Sequence, residues 1–213
     1  MTQTINILEN QFTLHAGGAV FWHEKKMLLI ADVHFGKVTH FRKHGAAIPA
    51  QALLSNLEKL ERVVTEFQPK TVCFLGDLFH SKLNSEWDIF ATWVASSACD
   101  VVLISGNHDI LPKYLFEDLG IAIFNSWETE GFIMTHHPQE ESPLFNFCGH
   151  VHPGIKMQGT GRQQVKLACF YKTKNQMILP AFGAFTGKFL LKPTEEDSIY
   201  ALVENEVICV SAK

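Results

Sequence analysis

Short apolar runs recur along this chain, each stopped by glycine or by polar residues. Residues 28–31, 72–75, 101–104, 132–134 and 145–148 are of this kind, a length and punctuation that read as buried strands. Four strands are predicted near the start, over 5–8, 12–15, 19–23 and 27–31. Gly17-Gly18 and Glu24-Lys25-Lys26 separate them as hairpin turns. Residues 50–68 follow Pro49 and place Leu53, Leu57, Leu60, Val64 and Phe67 on one helical face. A second helix is predicted from Ser85 to Ala98, with Ser85 as N-cap, Asp88 three residues on, and Trp87, Phe90, Trp93 and Val94 as its buried stripe. Strands at 72–75 and 101–104 thus alternate with helices, which argues for parallel β-α-β units. Beyond residue 120 the pattern changes to strands at 121–124, 131–135, 145–148, 165–171, 176–179, 199–203 and 206–210. The whole predicts an α/β fold of two mixed sheets face to face with helices outside. With no repeat, low-complexity tract or linker, residues 1–213 are expected to form one domain.

Composition narrows this picture. The hydrophobic fraction is 46%, ordinary for a globular protein, and no run approaches the roughly 18 apolar residues of a membrane span. The first residues lack a basic stretch followed by an apolar one, so no secretory signal is expected. The five scattered cysteines suit small core residues in a reducing cytoplasm. A net charge of -4 excludes a generally polyanion-binding surface and leaves nucleic-acid contact to a local patch or to metals.

Candidate chemistry lies where the runs end. Asp32-Val33-His34, Gly76-Asp77, Gly106-Asn107-His108-Asp109, His136-His137 and Gly149-His150-Val151-His152 each follow one of them. In open α/β sheets, active sites assemble at such strand ends. Asp32 and His34 are spaced i and i+2, so in a strand both point to one side and can face one ion. Asp77 has two carboxylate oxygens and can bridge two ions. Asn107 offers an amide oxygen, and His150 and His152 again share a side. His136, ending its strand, would complete a second site, with His137 as the other candidate there. Mixed carboxylate, imidazole and amide ligation suits Mn²⁺, Fe or Zn²⁺.

The order D-x-H, G-D, G-N-H-D, H, G-H-x-H resembles the signature of the calcineurin-like metallophosphoesterase superfamily. That resemblance implies a four-layer α/β/β/α sandwich with a dinuclear metal site. Carried over, Asp32, His34, Asp77 and His152 would hold one ion, and Asp77, Asn107, His136 and His150 the other. His108 would be the general acid at the leaving group, with Asp109 orienting it.

Two further stretches bear on the substrate. Gly76-Asp77-Leu78-Phe79-His80 looks like DNA-repair nucleases of the SbcD type. Residues 32–49 and 179–187 are similar to the ligase-associated DNA damage response endonuclease family called PdeM. This resemblance implies a Mn²⁺-dependent phosphodiesterase or endonuclease acting on DNA, with a DNA ligase, a helicase and a nuclease-like protein as partners. Lys37, Arg42 and Lys43 can form a positive patch for a nucleic-acid backbone, and Phe41 and Phe185 can stack on bases. An amphipathic helix at 36–44 with a solvated basic face is the plainer reading of the same residues. Two other functions fit the motifs: a broad or cyclic-nucleotide phosphodiesterase, and a non-catalytic metal-bound subunit of a ligase complex.

Overall fold

The computed structural model describes residues 2–37, 39, 45, 54–80, 83–159, 161, 163–184 and 186–210. Two mixed sheets lie face to face. The first has seven strands in sequence order: β1 (Thr2–Ile7), β2 (Asn10–His15), β3 (Ala19–Trp22), β4 (Met27–Ile30), β5 (Thr71–Phe74), β6 (Asp100–Ile104) and β7 (Ala122–Phe124). From β1 to β4 it is an antiparallel meander, and from β4 to β7 it is parallel. The change falls where helices begin to connect the strands. These are α1 (Ser55–Phe67), between β4 and β5, and α2 (Ser85–Ser96), between β5 and β6. A short third helix, α3 (Lys113–Glu117), follows β6 and was not foreseen.

The second sheet holds β8 (Trp127–Thr129), β9 (Phe132–Met134), β10 (Phe145–Cys148), β11 (Pro153–Gln158), β12 (Gln164–Lys172), β13 (Gln176–Ile178), β14 (Phe189–Leu190), β15 (Ser198–Val203) and β16 (Glu206–Val210). Its order is β14-β11-β12-β13-β10-β9-β8, with β15 also on β12 and β16 on β15. Strands β9, β10 and β13 run parallel, so the chain leaves β9 and β10 at one edge.

Alternation explains the layers. Along β2 and β3, Phe12, Leu14, Val20 and Trp22 point between the sheets and meet Phe132, Phe147 and Met177. Phe12 lies 5.0 Å from Phe147 and Trp22 lies 4.7 Å from Phe132, ring to ring. The opposite face of the first sheet packs against Leu57, Leu60 and Val63 of α1, Phe90 and Trp93 of α2, and Phe116 of α3. A third cluster, including Ile155, Cys169, Tyr171 and Ile199, lines the second sheet's outer face, where no helix appears among the described residues.

Local details differ from expectation. Asn84, not Ser85, caps α2, its side chain accepting the Glu86 N–H at 2.8 Å. Val63 rather than Val64 completes the buried face of α1, and Leu53 falls outside the described residues. Strands β8, β11 and β14 were not foreseen.

Candidate metal centre

Five loops meet at one edge of the sandwich. Asp32 and His34 come after β4, but not as an extension of it. The strand ends at Ile30, and both residues have left-handed backbone, φ +54° and +53°. Their side chains converge through two left-handed residues two positions apart rather than through a strand's pleat. Asp77, His150 and His152 share this conformation, at φ +53°, +67° and +52°. It costs a non-glycine residue roughly 1–2 kcal/mol, so the surroundings must hold it. Backbone bonds from Asp32 N to Gly76 O (3.2 Å), His34 N to Asp77 O (2.9 Å) and Phe35 N to Leu78 O (2.8 Å) carry the β4–β5 pairing into the loops. Gly76 is required there. A Cβ on it would lie 2.2 Å from His136 Nδ1, and its φ is +85°.

The ligand atoms fall into two groups joined by Asp77. In the first, Asp32 Oδ2 accepts the His150 N–H at 2.9 Å. Its Oδ1 is buried without a hydrogen-bond partner and faces His152 Nε2 at 3.3 Å. His152 Nε2 is also 3.3 Å from His34 Nε2, and Asp77 Oδ2 lies 3.9 Å from His34 Nε2. In the second, His136 Nδ1 donates to Leu75 O at 2.8 Å. In the neutral ring this tautomer puts the lone pair on Nε2. That lone pair faces Asn107 Oδ1 at 2.9 Å, His150 Nδ1 at 3.2 Å and Asp77 Oδ1 at 3.4 Å. Asp32 Oδ1 is a fully buried carboxylate oxygen with no donor, which is unfavourable unless a cation sits beside it. The residues thus fit divalent metal. Burial pushes the His34 pKa down to about 2. Burial, then His137 and His136, lower that of His150. Both shifts favour the neutral imidazole, the form that binds metal. His136 is buried and aimed at Asp77, whereas His137 is exposed beside His150, its ring 4.1 Å away.

A family model described as calcineurin-like phosphoesterase matches residues 25–162. The chain belongs to this family. Such a phosphoesterase uses divalent metal, which accords with the acceptor clusters just described. Among solved structures, the nuclease MPE of Pseudomonas putida is 27% identical, with a TM-score of 0.81, over 99% of this chain and 100% of its own. The E. coli phosphoesterase Yfce is 14% identical over 88% of this chain and 99% of its own, with a TM-score of 0.45. No curated protein sequence matches.

The remaining predicted residues of this phosphoesterase divide. His108 lies on the loop after β6, its N–H donating to Asp77 Oδ1 at 2.9 Å and its ring exposed. The His80 ring is 4.6 Å from it and the His34 ring 5.9 Å. Asp109 is not turned to the His108 ring as expected. Its Oδ2 accepts the N–H groups of Gly106 (2.8 Å) and Asp77 (2.9 Å), and its Oδ1 those of Leu78 (2.8 Å) and Phe79 (3.1 Å). Four backbone donors leave the carboxylate engaged in shaping the Asp77 loop. Burial raises its pKa, and the backbone bonds oppose that shift. Lys37 sits by the centre: burial lowers its pKa, while Asp77 and Asp32 pull it back up. Arg42, Lys43, Phe41 and Phe185 lie outside the described residues.

Supporting residues went unnoticed in the sequence. Glu86, buried at the start of α2, accepts the Gly36 N–H and the Thr39 hydroxyl, each at 2.7 Å, and so holds the turn after His34. Asn56 donates to Val33 O at 3.1 Å and accepts the Ala184 N–H at 2.9 Å. Lys59 donates to Phe182 O at 2.8 Å with its ammonium over the Phe182 ring. None belongs to a motif. The only cue is a polar residue near an apolar helical face.

Proposed function

We propose that this chain is a dinuclear, Mn²⁺-dependent phosphodiesterase that cuts DNA in the cytoplasm, in a repair pathway shared with a DNA ligase and a helicase. Asp77 carries the reading: one oxygen is directed to the His34 group and the other to the His136 group, as a residue shared by two ions would be. Full-length similarity to a nuclease supports the substrate. Asp32, His34, Asp77 and His152 would hold one ion, and Asp77, Asn107, His136 and His150 the other. Held there, such ions would supply Lewis acidity to the phosphoryl oxygens and would lower the pKa of a bound water.

The chain's own groups do the rest. His108 protonates the leaving oxygen, from a backbone position set by its N–H bond to Asp77. Lys37 adds positive charge beside the acidic pair, where it can meet a phosphate. Asp109 positions Asp77 through the loop it anchors. The test is to incubate the purified protein with Mn²⁺ and, separately, circular single-stranded DNA, bis(p-nitrophenyl) phosphate and 2′,3′-cyclic AMP. Nicking of the circle is expected. Hydrolysis of the small esters with intact DNA would instead mark a cyclic-nucleotide or broad phosphodiesterase. No hydrolysis despite stoichiometric metal would mark a non-catalytic subunit.

A further inference from the structure

Beside His152 lies a slot of about 210 Å³, lined among others by His152, Gly183, Thr186, Gly187 and Lys188. We propose that this slot is a subsite for the phosphate next to the scissile one, and that Lys188 is the residue that reads it. The inference rests on the nucleic-acid reading above. It assigns a specificity role to Lys188, which lies just past the 179–187 stretch and in none of the ligand motifs.

Both walls of the slot are tied to the backbone of a candidate metal ligand. On one side, β14 pairs in parallel with β11, and the Phe189 N–H donates to His152 O at 3.0 Å. Lys188 is thereby fixed beside His152. On the other side, the Gly183 N–H donates to Asp32 O at 3.0 Å, and Thr186 Oγ1 closes the turn onto Gly183 O at 3.0 Å. The position of the slot relative to the reacting phosphate is therefore set by hydrogen bonds and not by loop excursions. Gly154 keeps the path of Lys188 clear. A Cβ there would stand 3.0 Å from Lys188 Cβ and 3.1 Å from Leu167 O, so a side chain at this position would crowd the base of the lysine.

Size and charge name the occupant. The volume is below the ~300–1,000 Å³ of pockets that enclose whole small-molecule ligands. It has room for one sugar-phosphate unit of a longer substrate. Among the described lining residues Lys188 is the one lysine or arginine, and most of the others are glycine and alanine. Lysine recognises phosphate as a point charge, without base selectivity. A lone diester leaves Lys188 without a partner, whereas a polynucleotide supplies one. The slot thus biases the centre toward internal bonds of a strand.

The experiment compares kcat/KM for a single-stranded oligothymidylate with that for bis(p-nitrophenyl) phosphate, both with Mn²⁺, as a ratio. Lys188→Gln should lower the ratio about tenfold, mainly through KM on the oligonucleotide. It should also reduce the slope of log KM against log salt by about 0.7, the value of one single-strand phosphate contact. Lys188→Arg should restore most of the ratio. Gly187→Leu provides a second probe: among the described residues a Cβ there meets nothing within 4 Å, so the backbone has room for a leucine that adds bulk to the slot's wall, and it should lower the ratio as well. A wild-type protein that cuts the oligonucleotide, with the ratio and salt slope unchanged in both Lys188→Gln and Gly187→Leu, overturns the subsite alone. A wild-type protein that hydrolyses the small diester but leaves the oligonucleotide intact overturns the nucleic-acid reading, and the subsite falls with it.

Discussion

Replacing Asp109 by Asn separates two roles for the acid in the Gly106-Asn107-His108-Asp109 loop. If it orients His108, the variant keeps its metal and its fold and loses turnover. The hydrogen bonds predict otherwise. Both carboxylate oxygens are taken by backbone donors, two each, from Gly106, Asp77, Leu78 and Phe79. An asparagine keeps one oxygen and turns its NH₂ toward the other two N–H groups, donor against donor. A hydrogen bond to a charged acceptor is worth about 1.5–3 kcal/mol, so losing two costs roughly 3–6 kcal/mol. A domain is stable by only about 5–15 kcal/mol. At about 2–4 °C per kcal/mol for a chain of this length, the melting temperature in EDTA should fall by roughly 6–24 °C. The loop also carries Asp77, so metal affinity should drop about 10–100-fold, as when a group supporting a ligand is removed. Thermal melts, metal titration followed by mass spectrometry, and kcat at saturating metal give the three readings. Wild-type melting and metal affinity combined with a lower kcat would refute the loop-anchoring role and restore the His108-orienting one.

Three other outcomes can be checked directly. His136→Ala should lose one metal equivalent while His137→Ala keeps both; the reverse result in metal analysis would move the ligand to the exposed histidine. His108→Ala should retain its metal, since the bond to Asp77 uses the backbone N–H. Its kcat should fall about 10²–10⁴-fold on DNA and far less on p-nitrophenyl esters, whose leaving groups need no proton; equal losses on both substrates would reject His108 as the acid. Burial, then Arg62, lower the Lys59 pKa to about 8, while the unfolded chain keeps its ammonium to about pH 10. The unfolded state therefore binds more protons in this window. Wild-type stability relative to Lys59→Met should rise with pH from about 8 to about 10, by ~3 kcal/mol at most. A pH-independent difference in chemical denaturation would show that Lys59 titrates alike in both states.

Which parts of this molecule could be read from the chain follows from how local each signal is. The apolar runs ending in Asp, His or Asn are local, and they located β4, β5, β6, β9 and β10 together with the loops that carry the ligand candidates. Strand β11 begins with Pro153-Gly154 and includes Lys156 and Gln158, so it lacks a strand's composition; its pairing with β12 is made by tertiary context. The task of Asp109 was hidden for a related reason. Which donors its oxygens meet depends on the path of the Gly76–Phe79 backbone, and that path is set by contacts some thirty residues away along the chain. Glu86 lies in the first turn of α2, a place where acids are ordinarily solvated, yet it is buried because the Gly36 turn lies across it. The convergence of Asp32 with His34 was foreseen with the wrong geometry, since left-handed residues achieve what an extended strand was expected to do.

Those left-handed ligand positions have an evolutionary consequence. Asp32, His34, Asp77, His150 and His152 each hold a conformation that glycine adopts without penalty. At these sites, mutation to glycine lowers backbone strain while it removes function. Purifying selection for activity must then act against a standing thermodynamic pull toward glycine, strongest at His150 and His152, which are the least buried of the five. In a lineage released from that selection, the histidines of the fourth motif are the positions where glycine should appear first. A descendant of this chain that had become a scaffold would be recognisable from the order of its losses, before any assay was run.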